Sequence, residues 1–70
     1  MPERILRVSE VVRRTGLGRS TVYDRESRGE FPVRRQLGGG LVGWLESEID
    51  EWLQSRPVGI EARAAERTRA

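Results

Sequence analysis

Gly16 and Gly18 stand on either side of Leu17, between the segment ending Val11-Val12-Arg13-Arg14-Thr15 and the segment beginning Arg19-Ser20-Thr21-Val22-Tyr23. Glycine ends a helix by adopting the left-handed conformation just past its last turn. It also serves, less well than serine, as the cap residue at a helix start. The stretch from Thr15 to Tyr23 therefore reads as a short helix that stops, turns around Leu17 as an apolar plug, and restarts almost at once. Few folds place two short helices in that relation.

The remaining elements follow from local signals. Residues 4–8 form a lead-in with Leu6 and Val8 in alternation, and Ser9 is placed as the N-cap of the first helix. Glu10 in the first turn and Arg13-Arg14 in the last suit the helix dipole, with Val11 and Val12 facing inward. The second helix runs to about Arg28, where Gly29 stops it. Its amphipathic signal is poor, since only Val22 and Tyr23 are apolar, so it rests on context. Phe31-Pro32 makes an extended bend. Val33 to Leu37 and Leu41 to Leu45, joined by Gly38-Gly39-Gly40, read as a hairpin. Ser47 is the expected N-cap of a third helix carrying Ile49, Trp52 and Leu53 on one face. Pro57-Val58-Gly59 breaks the pattern, and Ile60 to Ala70 reads as a frayed or disordered tail of Ala, Arg and Glu.

With 70 residues, no cysteine and no histidine, the chain has no disulfide staple, thiol nucleophile or imidazole, and no ordinary zinc site. A domain this small only just outweighs chain entropy with a single core, which leaves no room for an elaborate catalytic cavity. Binding is the expected activity, with no cofactor and no metal. The acidic run Glu46, Glu48, Asp50 and Glu51 is explained by capping and dipole effects, and the triple glycine lacks the lysine and helix start of a phosphate loop. The first residues carry charges and no apolar run of signal-peptide or membrane-span length, so a cytoplasmic location is expected.

All 13 basic residues are arginine, for a net charge of +2, but the charge is unevenly spread. Residues 1–45 hold nine arginines against five acidic residues, and residues 46–56 one against four. One basic half suits a protein that presents a face to a polyanion. The second helix opens with cationic and small polar groups fit to meet base edges and phosphates at the leading end of a recognition helix in a major groove. Arg19 is a candidate base or phosphate contact, since a cation at a helix N-terminus is otherwise slightly unfavourable. Ser20 and Thr21 divide between phosphate contact and satisfaction of first-turn amides. Tyr23 is either a phosphate contact or a half-buried core residue. Arg13, Arg14, Arg25 and Arg28 are phosphate contacts or an ordinary solvated face, with Arg25 and Arg28 able to pair with Asp24 or Glu26 instead. Of these, Arg28 is retained as a candidate. Arg34 and Arg35 point to opposite faces of a strand, so at least one meets solvent or DNA along the hairpin.

Taken together, the Thr15-Gly16-Leu17 turn, Arg19-Ser20-Thr21-Val22-Tyr23, Phe31-Pro32, Leu37-Gly38 and Val42-Gly43-Trp44-Leu45-Glu46-Ser47-Glu48-Ile49-Asp50-Glu51-Trp52 resemble the AlpA family of small phage and prophage regulators. That family is related to phage excisionases and, more distantly, to the MerR-type winged helix-turn-helix. The resemblance spans about residues 5–56. It implies a protein that binds double-stranded DNA, either to control transcription of an integrase or excision gene or to bend attachment-site DNA. It places Arg19, Ser20 and Tyr23 on the recognition helix, and the Arg34-Arg35 strand with the glycine turn as the wing. The chain departs from the pattern at Gly18, where a serine cap is common, and at Gly39-Gly40-Leu41, where the wing tip is usually basic.

The expectation is a mainly α protein with a small β-hairpin: a winged helix-turn-helix domain over residues 1–56 and a flexible tail over 57–70. Its core is expected to hold Leu6, Val8, Val11, Val12, Leu17, Val22, Phe31, Leu37, Val42, Trp44, Leu45, Ile49, Trp52 and Leu53. The expected function is sequence-specific DNA binding through Arg19, Ser20, Thr21, Tyr23, Arg28, Arg34 and Arg35. Self-association on DNA or a protein partner is the expected help for so modest a charge. The alternatives are an excisionase-type bending factor and, in a different class, a protein-interaction adaptor that keeps the shape without binding DNA. No nucleophile–base pair can be assembled, so an enzyme is not expected.

Overall fold

The computed structural model describes residues 3–58. In chain order these form β1 (Ile5–Leu6), α1 (Val8–Thr15), α2 (Arg19–Ser27), β2 (Arg35–Gly38), β3 (Leu41–Leu45) and α3 (Glu46–Gln54). Three helices thus surround a small antiparallel sheet of order β1-β3-β2. The tail expected from residue 57 lies outside the described residues except for Pro57 and Val58, which belong to no helix or strand. No helix among the described residues is long and apolar enough to cross a membrane.

The turn between α1 and α2 is built by Thr15 and Gly16. The Thr15 hydroxyl donates to the Val11 carbonyl at 2.8 Å and accepts the Leu17 amide at 3.2 Å. Gly16, at φ 77°, takes the left-handed cap position and donates its amide to the Val12 carbonyl. A side chain at that φ is strained, which is why glycine ends the helix here. Gly18 stands at the N-cap of α2, as expected.

Both serines expected to cap helices lie inside them instead. α1 begins at Val8 because the Arg7 carbonyl accepts the Glu10 and Val11 amides, while the Glu10 carboxylate turns back onto the Arg7 amide at 3.0 Å. Ser9 is therefore in the first turn. α3 begins at Glu46, and the cap comes from far along the chain: Glu3 accepts the Ser47 amide at 3.0 Å and the Ser47 hydroxyl at 2.8 Å.

Leu6, Val11, Val22, Phe31, Trp44 and Ile49 form the buried centre, with Val8, Val12, Leu17, Tyr23, Trp52 and Leu53 packed around it. Trp44 donates its indole N–H to the Pro32 carbonyl at 3.0 Å, and Trp52 donates to the Glu30 carbonyl at 2.9 Å. The Phe31 ring meets Trp52 edge-on at 4.7 Å. The two tryptophans therefore fix the connection between α2 and the hairpin, where burial of large rings and satisfaction of backbone carbonyls coincide.

Three corrections concern the sheet. The lead-in is a strand: Ile5 pairs with Leu45 and Leu6 with Trp44, which makes β3 central. The second strand begins at Arg35 and not at Val33, whose side chain is exposed. Leu37 is not core. A register shift between Gln36 and Gly38 bulges it out of the pairing, and it is 42% exposed. Gly39 and Gly40, at φ 60° and 80°, close the hairpin with the paired left-handed turn that suits the twist of its strands.

Candidate nucleic-acid interface

α2 sits with Val22 fully buried and its opposite side in solvent. Ser20, Thr21, Asp24, Ser27 and Arg28 are exposed along that side, at the spacing that puts residues three and four apart on one helical face. Arg19 is exposed in the first turn. Among the described residues, Arg19 makes no ion pair and no side-chain cap closes the start of α2, whose N-cap is Gly18. This leaves first-turn N–H groups, which carry partial positive charge, beside a cation and two small hydroxyls.

The expected site residues separate into two groups. Arg19, Ser20 and Thr21 are brought together, exposed, at the start of α2. Arg28 lies on the same outward side but is ion-paired with Asp24, Nη2 to Oδ2 at 3.2 Å. Tyr23 is half-buried, with its ring 6.1 Å from that of Trp44 and the Arg34 guanidinium 5.3 Å above it. Arg34 is held by one carboxylate twice: Glu26 accepts its amide at 2.7 Å and its guanidinium at 2.8 Å. Arg35 turns to α3 and pairs with Glu48 at 2.8 Å. Tyr23, Glu26 and Arg34 thus form a joint between α2 and the hairpin. Sequence reasoning missed Glu26, because nothing local marks a partner eight residues away.

The acidic start of α3 has a comparable use. Arg14 reaches across from α1 to Glu46 and Asp50, both at 2.8 Å, and Arg4 reaches Glu46 and Glu10 at 3.4 Å. Hydrogen bonding to Glu46 and the field of Asp50 raise the Arg14 pKa above the ordinary arginine value. The same physics acts on Glu3, whose pKa is lowered by its backbone and side-chain hydrogen bonds to Ser47. Arg7, Arg13, Arg19, Arg25 and Arg56 are the arginines without an ion pair among the described residues, and Arg56 lies 4.3 Å over the Trp52 ring. Arg13 and Arg19 flank the turn between α1 and α2, and Arg25 is on α2 itself. The free positive charge therefore gathers on the two-helix unit, while Glu46, Glu48 and Asp50 of α3 are each paired with an arginine.

A small, mainly helical domain with three helices, one three-stranded antiparallel sheet and a polar, cation-bearing helix face is thereby defined. The family described as Prophage CP4-57 regulatory protein (AlpA) matches residues 4–57, and the chain belongs to it. Over 59 residues it is 48% identical to the DNA-binding transcriptional activator AlpA of Escherichia coli (strain K12), covering 76% of this chain and 84% of that protein. Over 57 residues it is 49% identical to the uncharacterized protein ORF88 of Enterobacteria phage P4, covering 81% of this chain. The chain spans 65% of the phage protein's length, just under two thirds. No solved structure matches the chain.

Proposed function

We propose that the chain is a sequence-specific DNA-binding regulator of phage, prophage or mobile-element genes, acting in the cytoplasm as a winged helix-turn-helix. α2 enters the major groove with Arg19, Ser20 and Thr21 leading, and the β2–β3 hairpin serves as a wing over the adjacent backbone or groove. The observation that carries this reading is the start of α2: a cation, two hydroxyls and a helix end with no side-chain cap exposed together, on a chain that pairs half of its described arginines internally. The family membership and the relative named as a DNA-binding transcriptional activator support it.

In this reading Arg34 and Arg35 act mainly by positioning the wing, because each already satisfies a carboxylate. The tip, Gly39-Gly40, brings no charge but lets backbone approach closely. Fluorescence anisotropy with duplexes from the gene's own promoter region and with unrelated duplexes tests the proposal. Preference for the promoter duplexes is expected, and Arg19→Ala is expected to weaken that binding by about 1–3 kcal/mol. Equal, weak binding of every duplex by both proteins would overturn it.

A further inference from the structure

One group on the outward face of α2 works against a polyanion. Asp24 lies at its middle, four residues after Ser20 and four before Arg28, with its side chain 55% exposed and that of Arg28 63% exposed. A carboxylate carried into a groove lined by phosphates costs binding free energy for every sequence alike, unless a hydrogen-bond donor meets it there. Asp24 has one internal partner, the Arg28 guanidinium on Oδ2, and Oδ1 has none among the described residues. An exposed pair of that spacing adds little to a helix, so local stability is a weak reason to keep an acid at this position.

Building on the reading of α2 as the recognition helix, we propose that Asp24 is a specificity-determining residue that selects cytosine. In the major groove only the exocyclic amino groups of cytosine and adenine offer hydrogens to a carboxylate. The amino group of adenine stands beside its own N7 lone pair, which repels an anion. That of cytosine stands beside a C–H edge, so cytosine is favoured. Arg28, restrained by Oδ2, keeps the carboxylate from rotating away and offsets part of its repulsion from the backbone. Asp24 thereby works chiefly by exclusion: a base edge that presents no amino group to Oδ1 leaves that oxygen desolvated and without a donor.

Selection from a pool of duplexes with randomised positions, run with the parent chain, Asp24→Ala, Asp24→Asn and Arg19→Ala, tests this. Circular dichroism of each variant confirms that it folds. The parent is expected to select a cytosine at one position with roughly 5- to 150-fold preference. Asp24→Ala is expected to lose that preference and to bind unrelated duplexes more tightly. Asp24→Asn is expected to move the preference to adenine, whose N6 and N7 suit an amide. If the parent selects a site that Arg19→Ala weakens, yet both Asp24 variants select the same bases, Asp24 does not read a base and this inference alone fails. If the parent selects no sequence, or Arg19→Ala selects and binds as the parent does, the placement of α2 in the groove fails and this inference fails with it.

Discussion

Glu3 shows how one side chain, far in sequence from the element it serves, sets a helix boundary. Its carboxylate closes the start of α3 by accepting both Ser47 donors, and this lowers its pKa below the ordinary 4.5. Because the unfolded chain then binds the proton more readily than the folded one, the stabilisation is complete above that value and is lost as pH falls through the lowered folded pKa. Glu3→Gln removes this titration. Its thermal midpoint is expected to be lower than the parent's at neutral pH and to fall less steeply on acidification. Superimposable acid limbs would show that Glu3 does not cap α3. Gly43 makes a comparable case in the sheet. A Cβ there would overlap Ile5 Cγ2 and come within 3.1 Å of the Leu6 carbonyl oxygen. Gly43→Ala is expected to cost about 1–3 kcal/mol in urea unfolding, and adding Ile5→Ala to recover part of it.

At the scale of elements, the joint between α2 and the hairpin rests on Glu26, whose side chain is only 10% exposed. Glu26→Ala leaves the Arg34 amide without its acceptor, and a loss of about 1–3 kcal/mol in unfolding free energy is expected, with faster hydrogen exchange at Arg34. Unchanged protection there would mean that the hairpin is held by Trp44 and Trp52 alone. The turn between α1 and α2 was legible from Thr15, Gly16 and Gly18, because glycine punctuation is a local property of the backbone. α2 was legible only through that turn, since its own apolar residues are too few to show a period. β1 is not legible as a strand, because it is two residues long, Val8 of the apparent alternation belongs to α1, and its pairing partner lies about forty positions away. The sequence places Leu37 in the core only as an apolar residue of a strand, and the bulge that turns it out depends on how the glycine turn closes. The same limit applies to the helix caps, where Glu3 and Glu10 displaced serines that local preference favoured.

On the scale of the molecule, ion pairing decides where charge remains available. Arg4, Arg14 and Arg35 are spent on the acidic residues of α3, and Arg34 on Glu26, so the basic half read from the sequence narrows to the unit formed by α1 and α2. Sequence counts could not show this, since the partners lie on different elements. DNA affinity is therefore expected to depend moderately on salt. Arg19→Ala is expected to lower the slope of log affinity against log salt by about 1, while Arg56→Ala, stacked on Trp52, leaves it unchanged. Equal slopes for all three proteins would place the phosphate contacts elsewhere. The claim that the outward side of α2 meets DNA is tested most directly by amide NMR of the isotope-labelled chain titrated with its promoter duplex. Shifts concentrated from Thr15 to Arg28, with a second set at the hairpin tip, are the predicted result. Shifts confined to α3, or spread evenly over the chain at saturation, would contradict it.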